Sequence, residues 1–176
     1  MKLRQTIRQT AFSAVLAALV TVLVLIGCVF DLVDLVCVAI ASVVLHIALT
    51  ELDAAHVFMI YLCSAILSFL FMPLRSCSLY FAAFFGYYPL VRSFLQKHIR
   101  KKSLYYALIF LWYNAATIAL YLIFKGVFGI QGEPVYMYVL LLLSSNLFFW
   151  CFEKLMGRIR ILYDYKFKKY FKINRK

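Results

Sequence analysis

Long apolar runs, each closed by a short polar or charged break, organise this chain. They lie at about 9–29, 32–49, 54–72, 77–96, 103–124 and 135–156. Each run is near the ~20 residues that a helix needs to cross a hydrocarbon core. None alternates with the period of two that a transmembrane barrel strand would show. The breaks carry turn chemistry. "FDLVD" follows the first run, "TELD" the second and Pro73 the third. "KGVFGIQGEP" (125–134), with its three glycines, separates the last two. The pattern predicts an all-α polytopic membrane protein, a six-helix transmembrane bundle over residues 1–156. A basic, aromatic tail over 157–176 follows it.

Composition removes the soluble alternative. With 66% hydrophobic residues and a mean hydropathy of +0.91, a globular domain would lack the polar side chains to cover itself. Charge then orients the bundle. All but Arg75 and Lys125 of the 19 basic residues fall before the first run, around the break between the fourth and fifth, or from Lys154, at the end of the last run, onward. The positive-inside rule places these segments, and both termini, in the cytoplasm, which requires an even number of spans in the cell membrane. The break between the second and third runs carries Glu51 and Asp53 without a Lys or Arg, and acids weigh little in that rule. The first run is longer than a signal-peptide core and no small-residue cleavage site follows it, so it is expected to stay attached.

The tail "YDYKFKKYFKINRK" alternates aromatic and basic residues. It reads as an interfacial anchor for the last helix, or as a binding segment for anionic lipid. A run placed directly after a membrane span argues against nucleic acid.

Polar groups inside the spans mark where function is to be sought. Gly86 and Pro89 in "FFGYYPLVR", Asn114 and Asn146 all fall near the middle of their spans. Pro89 lacks an N–H and leaves the Phe85 carbonyl without its helical partner, predicting a kink. The two asparagines are the expected bridges to that carbonyl, either as interhelical glue or as the lining of a polar cavity. A second cluster lies toward the outer ends: Asp31, Asp34, Arg75, Lys125 and Glu133, with Tyr80, Tyr136 and Tyr138 at similar depth. It reads as a vestibule for a small polar or aromatic solute, or as an ordinary interfacial belt. Asp34, about one turn into its span, is the one acid expected near a span interior. His46, Glu51, Asp53 and His56 surround the turn between the second and third spans, where a capped turn is expected rather than a metal site.

Cys28, Cys37, Cys63, Cys77 and Cys151 are odd in number and form no ligand pair, so they read as small hydrophobes. No Walker A loop, HExxH or GxSxG is present. Neither an enzyme, a cofactor nor a metal is therefore expected. In "AFSAVLAAL", Ala11, Ala14 and Ala18 share one helical face, where small residues let another helix approach closely.

Six spans in a short chain with both termini inside, opening on "RQTAFSAVLAAL", resemble the S components of energy-coupling factor transporters, the substrate-binding membrane subunits of bacterial uptake systems. "FFGYYPLVRSFLQK" is similar to a segment of small six-span membrane proteins of Firmicutes. The family's small-xxx-small motif would fall on Ala14 and Ala18. The resemblance implies that the first span docks on a transmembrane coupling subunit driven by paired ATPases. A vitamin-like solute would enter from outside, with Asp34, Arg75, Tyr80, Asn114 and Asn146 lining or gating its site. The alternative is a non-enzymatic membrane scaffold, for example in cell-envelope assembly, held through the alanine face, the tail and membrane lipids.

Overall fold

The computed structural model describes residues 2–30, 33–73, 75–99, 101–128 and 135–166. Asp31, Glu133, most of the glycine-rich loop and the tail beyond 166 lie outside the described residues, as do the side chains of Tyr136 and Tyr138. Every regular element described is helical: α1 (Lys2–Val29), α2 (Asp34–Glu51), α3 (Ala54–Phe71), α4 (Ser76–Tyr80), a π-helical turn (Phe81–Phe85), α5 (Tyr88–His98), α6 (Lys102–Phe128) and α7 (Val135–Lys166). Four of them are long and apolar enough to cross a membrane: α2, α3, Gln9–Val29 of α1 and Lys102–Leu122 of α6. The helix expected to close at about 156 continues to Lys166.

The apolar runs become helices because nothing interrupts them. Their large exposed residues, such as Val15, Leu70, Leu111 and Leu143, would be a liability in water and are ordinary in lipid. One core joins the helices through Val20, Val24, Val38, Leu45, Val57, Ile60, Phe81 and Phe149. α1, α2, α3 and α4 pack closely through small and weakly polar residues. Ser64 Oγ donates to the Ala17 carbonyl (3.2 Å), the Cys77 thiol to the Val24 carbonyl (3.3 Å), and Cys28 Sγ meets Ser78 Oγ at 3.2 Å. A Cβ on Gly27 would come within 2.6 Å of Cys77 Sγ and 2.9 Å of Cys37 Cβ. Three cysteines are buried, whereas Cys63 and Cys151 are exposed.

The fourth apolar run is broken by the feature that its sequence announces. Pro89 cannot donate, and its ring would collide with a helical carbonyl one turn back. The chain absorbs the conflict with one wider turn: Gly86 N–H bonds the Phe81 carbonyl at 2.8 Å, five residues back, and α5 starts afresh at Tyr88. The Tyr61 hydroxyl, reaching over from α3, donates to the Ala82 carbonyl at 2.7 Å. The asparagines do not serve this break. Tyr61 serves the Ala82 carbonyl, which the wider turn bypasses, not the Phe85 carbonyl, and Gly86 leaves room for its ring: a Cβ there would lie 2.3 Å from Tyr61 Cδ2.

Candidate functional site

Asn114 and Asn146 find each other. Each side-chain amide donates to the other's carbonyl oxygen at 3.1 Å, and each also donates to the carbonyl four residues back on its own helix, Phe110 and Leu142, at 2.8 Å. Both N–H groups of both amides are therefore in use. Beside this pair the Tyr113 hydroxyl bonds Ser145 through both its Oγ and its carbonyl. The two links clasp α6 to α7 at mid-height.

Above the clasp, toward the α2 N-terminus and away from the basic loops, lies a cavity of about 800 Å³. Leu35 of α2, Tyr80 of α4, Phe84 and Phe85 of the π turn, residues of α6 from Tyr113 to Tyr121, and residues of α7 from Leu142 to Phe148 form its wall. The π turn matters here. By widening the helix it places two consecutive phenylalanines, both buried, at one end of the cavity. That volume lies in the range of small-molecule sites, and the wall of aromatic and aliphatic groups with a few hydroxyls suits one.

Below the cavity an aromatic layer closes the bundle. Tyr113 stacks on Phe149 with centroids 4.2 Å apart and 7° between planes, and Phe84 meets Tyr113 and Phe149 edge-on. Tyr88 and Phe152 continue the layer.

Beneath that layer, toward the basic loops, is a buried charged network. Arg92 Nε contacts both carboxylate oxygens of Glu153, at 3.1 and 3.0 Å, with only 5% and 6% of the two side chains exposed. The Tyr105 hydroxyl donates to Glu153 Oε1 at 2.8 Å, and that of Tyr88 to Oε2. Arg92 Nη1 lies 3.4 Å from His46 Nε2. As guanidinium only donates, that ring nitrogen is the acceptor. Four helices thus meet on one ion pair: α2, α5, α6 and α7. Burying such charges is tolerable only because nearly every acceptor and donor is matched.

This network corrects two sequence expectations. Glu153, not Asp34, is the acid enclosed in the bundle; Asp34 is the first residue of α2, where the helix dipole favours a carboxylate. His46 turns inward to Arg92 instead of joining the α2–α3 turn, where Asp53 holds the N-cap position without a side-chain cap bond. No group of His, Cys, Asp or Glu that could hold a metal occurs among the described residues. The signal for the network was present. Arg92 and Glu153 are opposite charges a few residues inside spans that end on the same side, but each sits beside exposed basic residues and reads as part of the border.

Of the residues expected to bind solute, Tyr80 lines the cavity, Asn114 and Asn146 form the clasp, and Asp34 and Arg75 are not among the lining residues. Arg75, exposed, precedes α4 as its N-cap. Ala11, Ala14 and Ala18 lie on the exposed face of α1, opposite the Ala17–Val20–Val24 face that packs inward. No family model, curated protein or solved structure matches the chain.

Proposed function

We propose that this protein is the substrate-binding membrane subunit of a bacterial uptake transporter of the energy-coupling factor type. In this reading the chain crosses the cell membrane six times, the fourth crossing made by α4, the π turn and α5 and the sixth by α7, with both termini in the cytoplasm. The observation that carries the proposal is the cavity: ligand-sized, built by α2, α4, α6 and α7, and set in the half of the bundle away from the basic loops. With those loops inside, the cavity faces outward and the Arg92–Glu153 network closes the cytoplasmic half. The alanine face supports the same reading, since Ala11, Ala14 and Ala18 are left exposed on α1 where a coupling subunit could pack.

A membrane scaffold would also use the alanine face, but it has no need of an 800 Å³ cavity. Co-purification from the native membrane separates the two. The transport reading expects a coupling subunit with ATPases. Recovery of envelope-synthesis proteins with no ATPase would favour the scaffold.

A further inference from the structure

We propose that a buried water molecule bridges the Ser42 hydroxyl of α2 to the Phe85 carbonyl at the break before α5. In an apolar helix a serine or threonine hydroxyl commonly turns back to the carbonyl one turn earlier. Those of Ser13, Thr21, Ser68 and Thr117 do so here, at 2.7 to 2.9 Å. Ser42 does not. Its side chain is completely enclosed, yet its Oγ meets no hydrogen-bond partner among the described residues. The other buried serine and threonine hydroxyls, of Thr21, Ser64, Ser68 and Ser78, are all bonded. A hydroxyl left unmatched inside a bundle is costly, and a buried water is the usual partner of such a group.

The second partner lies at the same height. α2 and the segment from α4 to α5 run side by side and are fixed to each other at two points. The Cys77 thiol lies 3.7 Å from the Asp34 carbonyl, and Arg92 Nη1 lies 3.4 Å from His46 Nε2. Ser42, one turn above His46 on the same face, therefore falls level with the stretch from Phe85 to Tyr88. Within that stretch the Phe85 carbonyl is the group that Pro89 deprives of an N–H. The next amide, of Leu90, bonds the Tyr87 carbonyl instead, at 3.0 Å. Tyr61 serves Ala82, and the asparagines serve each other. A water that accepts from Ser42 and donates to Phe85 has the two polar partners that a buried water needs. Phe84 and Phe85 form one end of the cavity, so this water fixes the turn that presents them, whether or not the cavity takes a solute.

Water-edited solid-state NMR of the full-length protein in phosphatidylcholine bilayers tests the proposal, with water itself as the probe. Isotope labels on the alanine carbonyl and on serine isolate Ser42, because Ala41–Ser42 is the sole Ala–Ser step in the sequence. Magnetisation from water should reach Ser42 Cβ several-fold faster than Ser68 Cβ, which is equally buried but bonded to the Ser64 carbonyl. Equally slow transfer to the two serines would overturn the water, and this arm needs no variant. Pro89→Ala then tests the bridge, since it returns an N–H to the Phe85 carbonyl. In that variant, with helical circular dichroism retained, transfer to Ser42 should fall to the rate of Ser68. Fast transfer that persists there would overturn Phe85 as the second partner.

Discussion

Arg92 and Glu153, 61 residues apart in sequence, meet at 3.0 Å inside the bundle with almost no exposure. Few contacts in the chain tie so many elements together, since His46, Tyr88 and Tyr105 converge on the same pair. Removing one partner leaves the other buried and uncompensated. Arg92→Met or Glu153→Leu alone should cost about 3–5 kcal/mol, and the double replacement should cost clearly less than either. Unfolding of the four proteins in one detergent, arranged as a double-mutant cycle, measures this. Additive losses would show that the pair is not coupled.

Gly86 is expected to tolerate no side chain. Its substitution by Ala puts a Cβ 2.3 Å from the Tyr61 ring, and overpacking of this kind costs about 1–3 kcal/mol. Tyr61→Phe keeps the ring but loses the bond to the Ala82 carbonyl, for about 1 kcal/mol. In Tyr61→Ala the part of the Gly86→Ala penalty due to the ring should vanish, while the part due to the Phe81 carbonyl, 2.9 Å from the same Cβ, should remain; thermal unfolding of the two single variants and the double variant would reveal this.

The asparagine clasp predicts a smaller effect. Asn114→Leu and Asn146→Leu should each destabilise by about 0.6 kcal/mol, up to roughly 2, as interhelical polar pairs do in membranes. Because each amide serves the other, the double variant should cost little more than one single. Equal, fully additive losses would indicate that each amide acts through its own helix carbonyl alone.

Ala14→Leu separates partner docking from folding. Ala14 is exposed, so the isolated subunit should keep its stability within about 0.5 kcal/mol. If the transport proposal holds, co-purification with a coupling subunit and its ATPases should be lost. Unchanged recovery of those partners would exclude the alanine face as the docking surface.

Much of the fold was legible because apolar runs and their breaks are local properties. α2, α3 and α6 begin and end within a few residues of the apolar runs, α1 ends with its run but starts at Lys2, well before it, and Gly86 and Pro89 announce a break in the fourth. The form of that break was not legible. Pro89 announces a missing bond, but neither the wider turn before it nor the bond from Tyr61, distant in sequence, to the Ala82 carbonyl can be read from it. The site was harder still. Depth along a helix can be counted, which is why Asn114 and Asn146 were placed level with each other and do meet. The side of the helix that faces the bundle cannot be read when nearly every face is apolar. His46 therefore reads as part of the turn between the second and third spans and Glu153 carries no signal of its own, although both are buried. Asp34 drew attention as the conspicuous acid while Leu35, the next residue, lines the cavity.

On the transport reading, the cavity above the clasp holds a small solute. Mass spectrometry of molecules released from the gently purified protein tests it most directly, with wild type and Thr117→Phe prepared in parallel. One small molecule near one-to-one ratio is expected with wild type, and its loss from Thr117→Phe, whose ring fills the cavity. Identical extracts from both proteins, containing phospholipid and no small molecule, would contradict it.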